Sequence, residues 1–486
     1  MELSLVGHSF RFECENLCRL FFPYSPVRVT EGDPLAAGAG VLTAVEEQDG
    51  KYRYTVKARW EGSFAELTDT RDTLEEYALT DLLYRALKEL SGIAPVWGML
   101  TGIHPIKLLR QYCEELGDEA GCAKFRARCH VSEAKTALAL RTLQTQRPVI
   151  AARTPRDFCL YIGIPFCPSR CSYCSFVSQS VQQAKKLMQP YFELLLKEIT
   201  ETAKVTNGLG LSLTAVYIGG GTPTTLSAEQ LYRLCDTVRQ HFDLSRCTEF
   251  TVEAGRPDTI DTEKLSALRA AGVTRVSINP QSLSDEVLAA IGRRHSARDV
   301  LDAFALARQA GFQEINCDLI VGLSKDTLEG FKKSLDGVIA LGAENVTVHA
   351  LALKRSANLV TEGGDLSLHG RREEVSAMVE YSIKRLSECG YEPYYLYRQS
   401  RTAGNLENTG WTKPGAICAY NIHSTDEELT VIACGAGGVT KLKDPYRDYL
   451  TRIFNFKHPY EYIDRNEELL ARKQGIVEFY RALKNS

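Results

Sequence analysis

The sequence predicts an α/β protein built on a mostly parallel sheet, and three observations carry that expectation. From about Asp157 onward, short β-rich runs alternate with segments of helical period, the pattern of repeated βα units. At 486 residues the chain is long enough for roughly three structural units at about 150 residues each. The first 150 or so residues differ in texture from the remainder of the chain, reading as α+β.

Six strands are expected in the central region: Cys159–Ile164, Ala215–Ile218, Glu249–Glu253, Arg275–Ile278, Ile315–Val321 and Asn345–His349. Helices are expected between them, at Val181–Lys204, Ala228–His241, Lys264–Ala271, Asp285–Ile291, Arg298–Ala310 and Thr327–Leu341. The second of these opens on Ser227-Ala-Glu-Gln230, whose spacing is that of a capping box. Such an alternation folds into a barrel-like or doubly wound sheet, with the reactive site at the C-terminal ends of the strands.

In the N-terminal region the runs Leu3–Val6, Gly40–Val45 and Tyr52–Ala58 read as strands, the last two joined through Gln-Asp-Gly at 48–50. Helices are expected next, at Asp72–Leu90, Pro105–Leu116 and Ser132–Leu143. The C-terminal region, 353–486, carries a helix at Arg371–Cys389, an extended Tyr391–Tyr397 stretch and the strand Leu429–Ala433, and reads as a separate closing domain. The expected boundaries are thus 1–150, 151–352 and 353–486.

Composition narrows the function classes. Hydrophobic residues are 44% and charged residues 24%, values of an ordinary globular protein. With 58 basic and 61 acidic residues the net charge is −3, which gives no electrostatic case for a nucleic-acid or anionic-membrane partner. No apolar stretch approaches the roughly 18 residues of a membrane span, and the first residues lack the pattern of a secretory leader. A cytoplasmic location is expected. The 15 cysteines, scattered from Cys14 to Cys434, do not form the short, dense framework of a secreted disulfide protein, so most should be reduced.

The chemistry is concentrated where the first central strand ends, in Tyr161-Ile-Gly-Ile-Pro-Phe-Cys167-Pro-Ser-Arg-Cys171-Ser-Tyr-Cys174. Three thiolates at i, i+4 and i+7 in one short loop select a soft metal centre such as an iron–sulfur cluster, zinc or Cu(I). A structural zinc site asks for a fourth ligand, and no second Cys-x-x-Cys pair exists to supply it. Three thiolates on a four-iron cluster leave one iron open.

This Cys-x-x-x-Cys-x-x-Cys loop resembles the radical S-adenosylmethionine superfamily, which implies a partial (βα)6 barrel and an open iron chelated by S-adenosylmethionine. Gly219-Gly-Gly221-Thr222 ends the second strand, Glu253 the third and Gln281 the fourth. Arg293 lies on the following helix, and Asp318 within the fifth strand. In that order, residues 161–350 resemble the oxygen-independent coproporphyrinogen III dehydrogenase family. That family also includes haem chaperones and methyltransferases that use two S-adenosylmethionine molecules.

The resemblance implies that Cys167, Cys171 and Cys174 hold a [4Fe-4S] cluster. It further implies that Tyr161, Tyr173, Gly220, Gly221, Thr222, Glu253, Gln281, Arg293, Asp318 and Ala350 line one or two S-adenosylmethionine sites. The activity it implies is oxidative decarboxylation of two propionates of coproporphyrinogen III, with a flavodoxin or ferredoxin as electron donor. Haem delivery, methyl transfer and anaerobic haem degradation are the alternatives within the same architecture. A tetracarboxylate substrate needs cations at the barrel mouth, for which Arg256, Lys354, Arg355, Arg398 and Lys413 are candidates.

Four segments resemble the HemZ-type branch, which has an added N-terminal domain: Leu100-Thr-Gly-Ile-His-Pro-Ile-Lys107, Glu253-Ala-Gly-Arg-Pro257, Tyr394-Tyr-Leu-Tyr-Arg-Gln399 and Gly404-Asn-Leu-Glu-Asn408. There are two departures from the wider family. Gly163 stands where His is common, and Phe176 stands where the best-known dehydrogenases have a fourth Cys. The histidines His8, His104, His130, His349 and His423 read as core or surface residues, since no haem-attachment motif accompanies them. Cys113, Cys122 and Cys129 read as structural thiols rather than a second centre with His130.

Overall fold

A computed structural model of the chain describes residues 1–23, 25–32, 34–35, 38–352, 371–399 and 402–484. By its internal contacts the chain forms two units. The first comprises Met1–Leu140 with Arg398–Leu406, and the second Arg141–Tyr397 with Glu407–Ser486.

The first unit is a five-stranded sheet in the order Arg28–Val29, Glu2–Val6, Gly40–Gln48, Lys51–Trp60, Ser63–Arg71. The predicted hairpin forms at 48–50, where Asp49 and Gly50 both take positive φ (51° and 72°), the geometry of a two-residue primed turn. In Lys51–Trp60 every second residue from Tyr54 to Ala58 is buried, so one face of the strand enters a core shared with helices Arg11–Phe21 and Glu76–Ser91. Helices Pro105–Leu116 and Asp118–Cys129 complete its C-terminal half. The strand Ser63–Arg71 and the helices Arg11–Phe21 and Asp118–Cys129 are not among the expected elements. Six of its nine residues are exposed and only Ala65 is buried, so no apolar alternation marks it.

The second unit is organised by one eleven-stranded sheet. Its centre is six parallel strands in chain order: Asp157–Ile164, Ser212–Gly220, Glu249–Glu253, Arg275–Ser277, Glu314–Val321 and Asn345–Ala350. These are the six predicted strands, with ends shifted by a few residues. They are apolar almost throughout because helices cover the sheet, as in the Asp157–Ile164 strand, where all but one residue is buried. The capping box forms as expected: Ser227 Oγ accepts from Gln230 N and Gln230 Oε1 from Ser227 N, each at 3.1 Å.

C-terminal segments extend this sheet on both sides. Thr430–Cys434 lies parallel beside Asp157–Ile164 and continues into the antiparallel pair Val439–Lys443 and Leu450–Phe454. At the other side Glu407–Thr412 runs antiparallel to Asn345–Ala350, followed by Glu392–Arg398. The result is an α/β fold with an open, partial barrel. Among the described residues no helix is long and apolar enough to cross a membrane.

Candidate active site

Because all six central strands are parallel, their C-terminal ends gather at one rim, and the cysteine loop leaves the first strand there. Its path is fixed by main-chain bonds on two sides. Ser172 N donates to Ile291 O at 3.1 Å, and Gln179 N to Pro165 O at 2.9 Å. Cys171 is buried, while Cys167 and Cys174 are partly exposed.

The glycine run at the end of the second strand is required by how closely it passes this loop. Gly221 N donates to Ile164 O and Thr222 N to Phe166 O, both at 2.7 Å. A Cβ on Gly221 would stand 2.6 Å from Phe166 O and 3.0 Å from Cys167 Sγ, and one on Gly219 would stand 2.9 Å from the Glu253 carboxyl carbon. At Gly221 the close atom is backbone and a side chain does not fit; at Gly219 a side chain would displace the Glu253 carboxyl. Thr222 Oγ1 lies 3.6 Å from Cys167 Sγ, as a donor to the sulfur.

Glu253 closes the third strand against this run. Tyr217 donates its hydroxyl to Glu253 Oε1 at 2.7 Å. Burial pushes the Glu253 carboxyl up to about 7; the Tyr217 bond opposes the rise and the negative Asp318 adds to it. Asp318 itself lies below the ordinary carboxyl range. Burial works to raise it, but bonding and charge from His349, with the Asn316 amide at 2.9 Å and the Thr347 hydroxyl, outweigh burial. His349 Nε2 stands 3.8 Å from Asp318 Oδ2, and its Nδ1 is 3.4 Å from the Tyr397 hydroxyl.

Gln281 takes a positive φ of 68°, rare outside glycine, and is held there by Gln281 N donating to Asp318 O at 2.9 Å and Gln281 O accepting from Ile320 N at 3.1 Å. Arg293 donates to Asn279 O at 2.6 Å and to the Tyr173 hydroxyl at 3.2 Å. Ala350 N donates to Asn408 Oδ1 at 2.9 Å. Tyr161 pairs with Tyr217 in register across the first two strands and lies stacked with it, ring centroids 6.5 Å apart.

All ten residues predicted to surround the cofactor therefore come from the second unit: eight lie on or just beyond its parallel strands, Tyr173 lies in the cysteine loop, and Arg293 lies just past the end of helix Asp285–Ala290 rather than on it. Tyr217, Asn279, Asn408 and Tyr420, whose ring stacks on Tyr217 at 4.4 Å, join them in the same neighbourhood. So does His349, which the sequence suggests is only a core or surface residue. Tyr217 has a readable signal: it precedes the glycine run by two residues, on the face opposite Ile218.

The five predicted substrate cations fare differently. Arg256 is buried beside the cysteine loop, but its fork is bidentate to Asp258 at 2.9 and 3.0 Å, with Nη1 3.2 Å from Ser169 Oγ and 3.8 Å from Cys171 Sγ. Its fork is thus taken by Asp258, and its remaining contacts are with the cysteine loop. Lys413 lies at the opposite end of the sheet: its Nζ donates to Gly342 O at 3.1 Å and its N–H to Glu344 O at 2.8 Å, both ahead of the Asn345–Ala350 strand. Arg398 belongs to the first unit, where it is buried and bonded to main-chain oxygens. Lys354 and Arg355 lie outside the described residues.

His130 is paired with Asp81 at 2.6 Å and stacked on Tyr84, which leaves it no part in a second metal centre. Among the described residues no three His, Cys, Asp or Glu side chains converge on a single metal-ion position. A four-iron cluster asks instead for one thiolate per iron, so its ligands stand apart around the loop.

The surroundings fit such a cluster with a polar organic ligand beside it. Three thiols stand at the rim, the glycine main chain is stripped of side chains, and three buried polar atoms there have no hydrogen-bond partner: Arg293 Nε, Asn279 Oδ1 and Ser172 Oγ. Buried polar atoms are rarely left unpaired unless something else completes them.

Comparison with known proteins agrees. Residues 161–337 match the family model of the Radical SAM superfamily. The chain is 36% identical over 396 residues to the oxygen-independent coproporphyrinogen-III oxidase-like protein HemZ of Bacillus subtilis (strain 168), covering 81% of this chain and 79% of that protein. It is 32% identical over 337 residues to the heme chaperone HemW of the same organism, covering 67% of this chain and 83% of that one. Among solved structures, coproporphyrinogen III oxidase (HemN) from Escherichia coli superposes with a TM-score of 0.53 at 24% identity, covering 68% of this chain and 73% of that one, a likeness of fold. The chain belongs to the oxygen-independent coproporphyrinogen-III oxidase-like family of radical S-adenosylmethionine proteins, whose cofactors are a [4Fe-4S] cluster and S-adenosylmethionine.

Proposed function

We propose that this chain converts two propionate side chains of coproporphyrinogen III into vinyl groups, giving protoporphyrinogen IX without using oxygen. The observation that carries this reading is one rim that presents three thiols together with Glu253, Arg293 and Asp318, in a chain that resembles HemZ over four-fifths of its length.

In this reading Cys167, Cys171 and Cys174 hold the cluster, and the residues from Tyr161 to Ala350 named above hold S-adenosylmethionine. Together the bound cofactors supply one-electron, hydrogen-abstracting chemistry. The protein's share is positioning and electrostatics. Arg256 places positive charge 3.8 Å from Cys171 Sγ, which favours a charged cluster. Glu253 and Asp318 differ in proton affinity, so at neutral pH Asp318 is an acceptor while Glu253 exchanges its proton. Arg293 is kept charged by Tyr173 and Cys171 against the cost of burial, and offers a fork to a carboxylate. Each propionate gives up one hydrogen atom, carbon dioxide and one electron, the last passing to an acceptor outside the protein; a flavodoxin- or ferredoxin-type protein supplies the reducing electron.

The test is anaerobic incubation of the cluster-loaded chain with coproporphyrinogen III, reading tetrapyrrole products and 5′-deoxyadenosine together. Vinyl products with matching 5′-deoxyadenosine are expected. A chain that cleaves S-adenosylmethionine yet leaves the tetrapyrrole unchanged would remove the dehydrogenase reading. The similarity to HemW and the Phe176 position favour one second reading, a haem chaperone, for which tight one-to-one haem binding without substrate-dependent 5′-deoxyadenosine is the signature.

A further inference from the structure

The first unit contains a cavity of about 460 Å³ that the chemistry above does not use. Five of the eight residues of the Leu100–Lys107 segment line it, facing the first turns of helix Glu76–Ser91 and the end of helix Asp118–Cys129.

Two of the other family-like segments hold this wall in place, through Arg398 and Asn405. Arg398 donates its guanidinium to Leu100 O and its main-chain N–H to Ile103 O at 2.9 Å, while Asn405 O accepts from Arg398 Nη2 at 3.2 Å. Asn405 is in turn tied through its amide to Leu20 O at 2.7 Å. Arg398 is 4% exposed and lies over the Trp97 ring. A buried arginine whose fork bridges Leu100 O and Asn405 O, and whose main-chain N–H holds Ile103 O, ties the two segments together and fixes the path of the first. Here the segment is a cavity wall.

The lining states what the cavity would take. Tyr77 and Tyr112 offer aromatic surface, and Leu108 and Met99 add apolar contact. Arg128 rests its guanidinium on the Tyr77 ring, 4.2 Å from the centroid, and Lys124 rests on Tyr112 at 4.5 Å. A guanidinium held over a ring face keeps N–H groups for a carboxylate. The carboxylate of Glu76 also lines the space, which disfavours a second negative charge on the ligand. The volume is at the lower end of small-molecule sites, enough for one or two rings and too small to enclose a whole tetrapyrrole.

We propose that this cavity is a binding site for a small, flat aromatic monocarboxylate, recognised by the edge of Arg128 and the rings of Tyr77 and Tyr112. The inference is independent of the reaction assigned to the second unit.

The experiment is calorimetric titration of the full chain with indole-3-acetate, indole and tryptamine, which share a ring system and differ in charge. Indole-3-acetate should bind at least roughly 10-fold tighter than indole, with tryptamine weakest. Arg128→Gln, at an exposed position, should erase the advantage of the carboxylate, and Leu108→Trp should fill the space and abolish binding of all three. Melting temperature and iron content report that both variants are folded. Equal affinity for indole and indole-3-acetate, binding unchanged in either variant, or no heat with any of the three at millimolar concentration would each overturn the assignment.

Discussion

Tyr217 and Glu253 meet across 2.7 Å at neighbouring strand ends, so that the hydroxyl of one strand holds the carboxyl of the next where it faces Gly219. The bond favours the ionised carboxyl in a place where burial disfavours it. Removing the hydroxyl with Tyr217→Phe should therefore raise the Glu253 midpoint further, by on the order of one pH unit for a bond of about 1 kcal/mol. Nuclear magnetic resonance titration of a carboxyl-labelled chain measures it directly.

Glu253 itself should impose a pH dependence with a defined sign. Its carboxyl sits near 7 when folded and near its ordinary value of 4.5 when unfolded, so the folded chain binds the extra proton between those limits. Its contribution to stability is whole below about pH 4.5 and is lost as pH rises through about 7. Affinity for a hydroxyl donor such as a ribose should move the opposite way and increase over the upper part of that window. Glu253→Gln should flatten both curves; S-adenosylmethionine affinity measured from pH 6 to 8 on wild type and variant checks it.

Each of Cys167→Ser, Cys171→Ser and Cys174→Ser should lower bound iron from about four atoms per chain to near none and turnover by at least roughly 100-fold, with the melting temperature little changed. Cys434→Ser is the matched control. Its thiol is buried 3.4 Å from Thr202 Oγ1, remote from the cysteine loop in the sequence, and iron content should stay as in wild type. Iron analysis after anaerobic purification reads both outcomes.

A buried ion pair supports the C-terminal addition to the sheet. Glu198 accepts from Lys473 Nζ at 2.8 Å, from Tyr462 at 2.7 Å and from Gly435 N at 2.7 Å, with both charged side chains almost wholly enclosed. Lys473→Met leaves the carboxylate without its cation and should destabilise the chain by about 3–5 kcal/mol, whereas the double change Glu198→Met, Lys473→Met should cost much less. Denaturant unfolding of the three proteins gives the comparison.

Much of the second unit was legible from sequence because local and tertiary demands coincide there. The parallel strands are apolar on both faces, and the helices between them begin on residues that cap, as at Ser227. The cysteine loop was legible for a different reason: thiol spacing is a chemical statement that needs no fold. What escaped depends on partners distant in sequence. Arg398 and Lys413 carry the charge expected of a propionate ligand, yet the carbonyls that receive them are on Leu100 and Gly342. His349 gives no local sign that Asp318 lies diagonally across from it, since that relation arises from the register of adjoining strands, which pairs Asp318 with Thr347. The placement of Thr430–Cys434 beside Asp157–Ile164 is likewise a property of sheet order, which neither segment encodes alone.

That strand placement also sets an order of events. Phe158 finds its neighbour Thr430 about 270 residues further along, so during synthesis the strand that leads into the cysteine loop has an open flank until Thr430 has left the ribosome. A chain stalled before Thr430 would present the cysteine loop on a strand paired on one side alone.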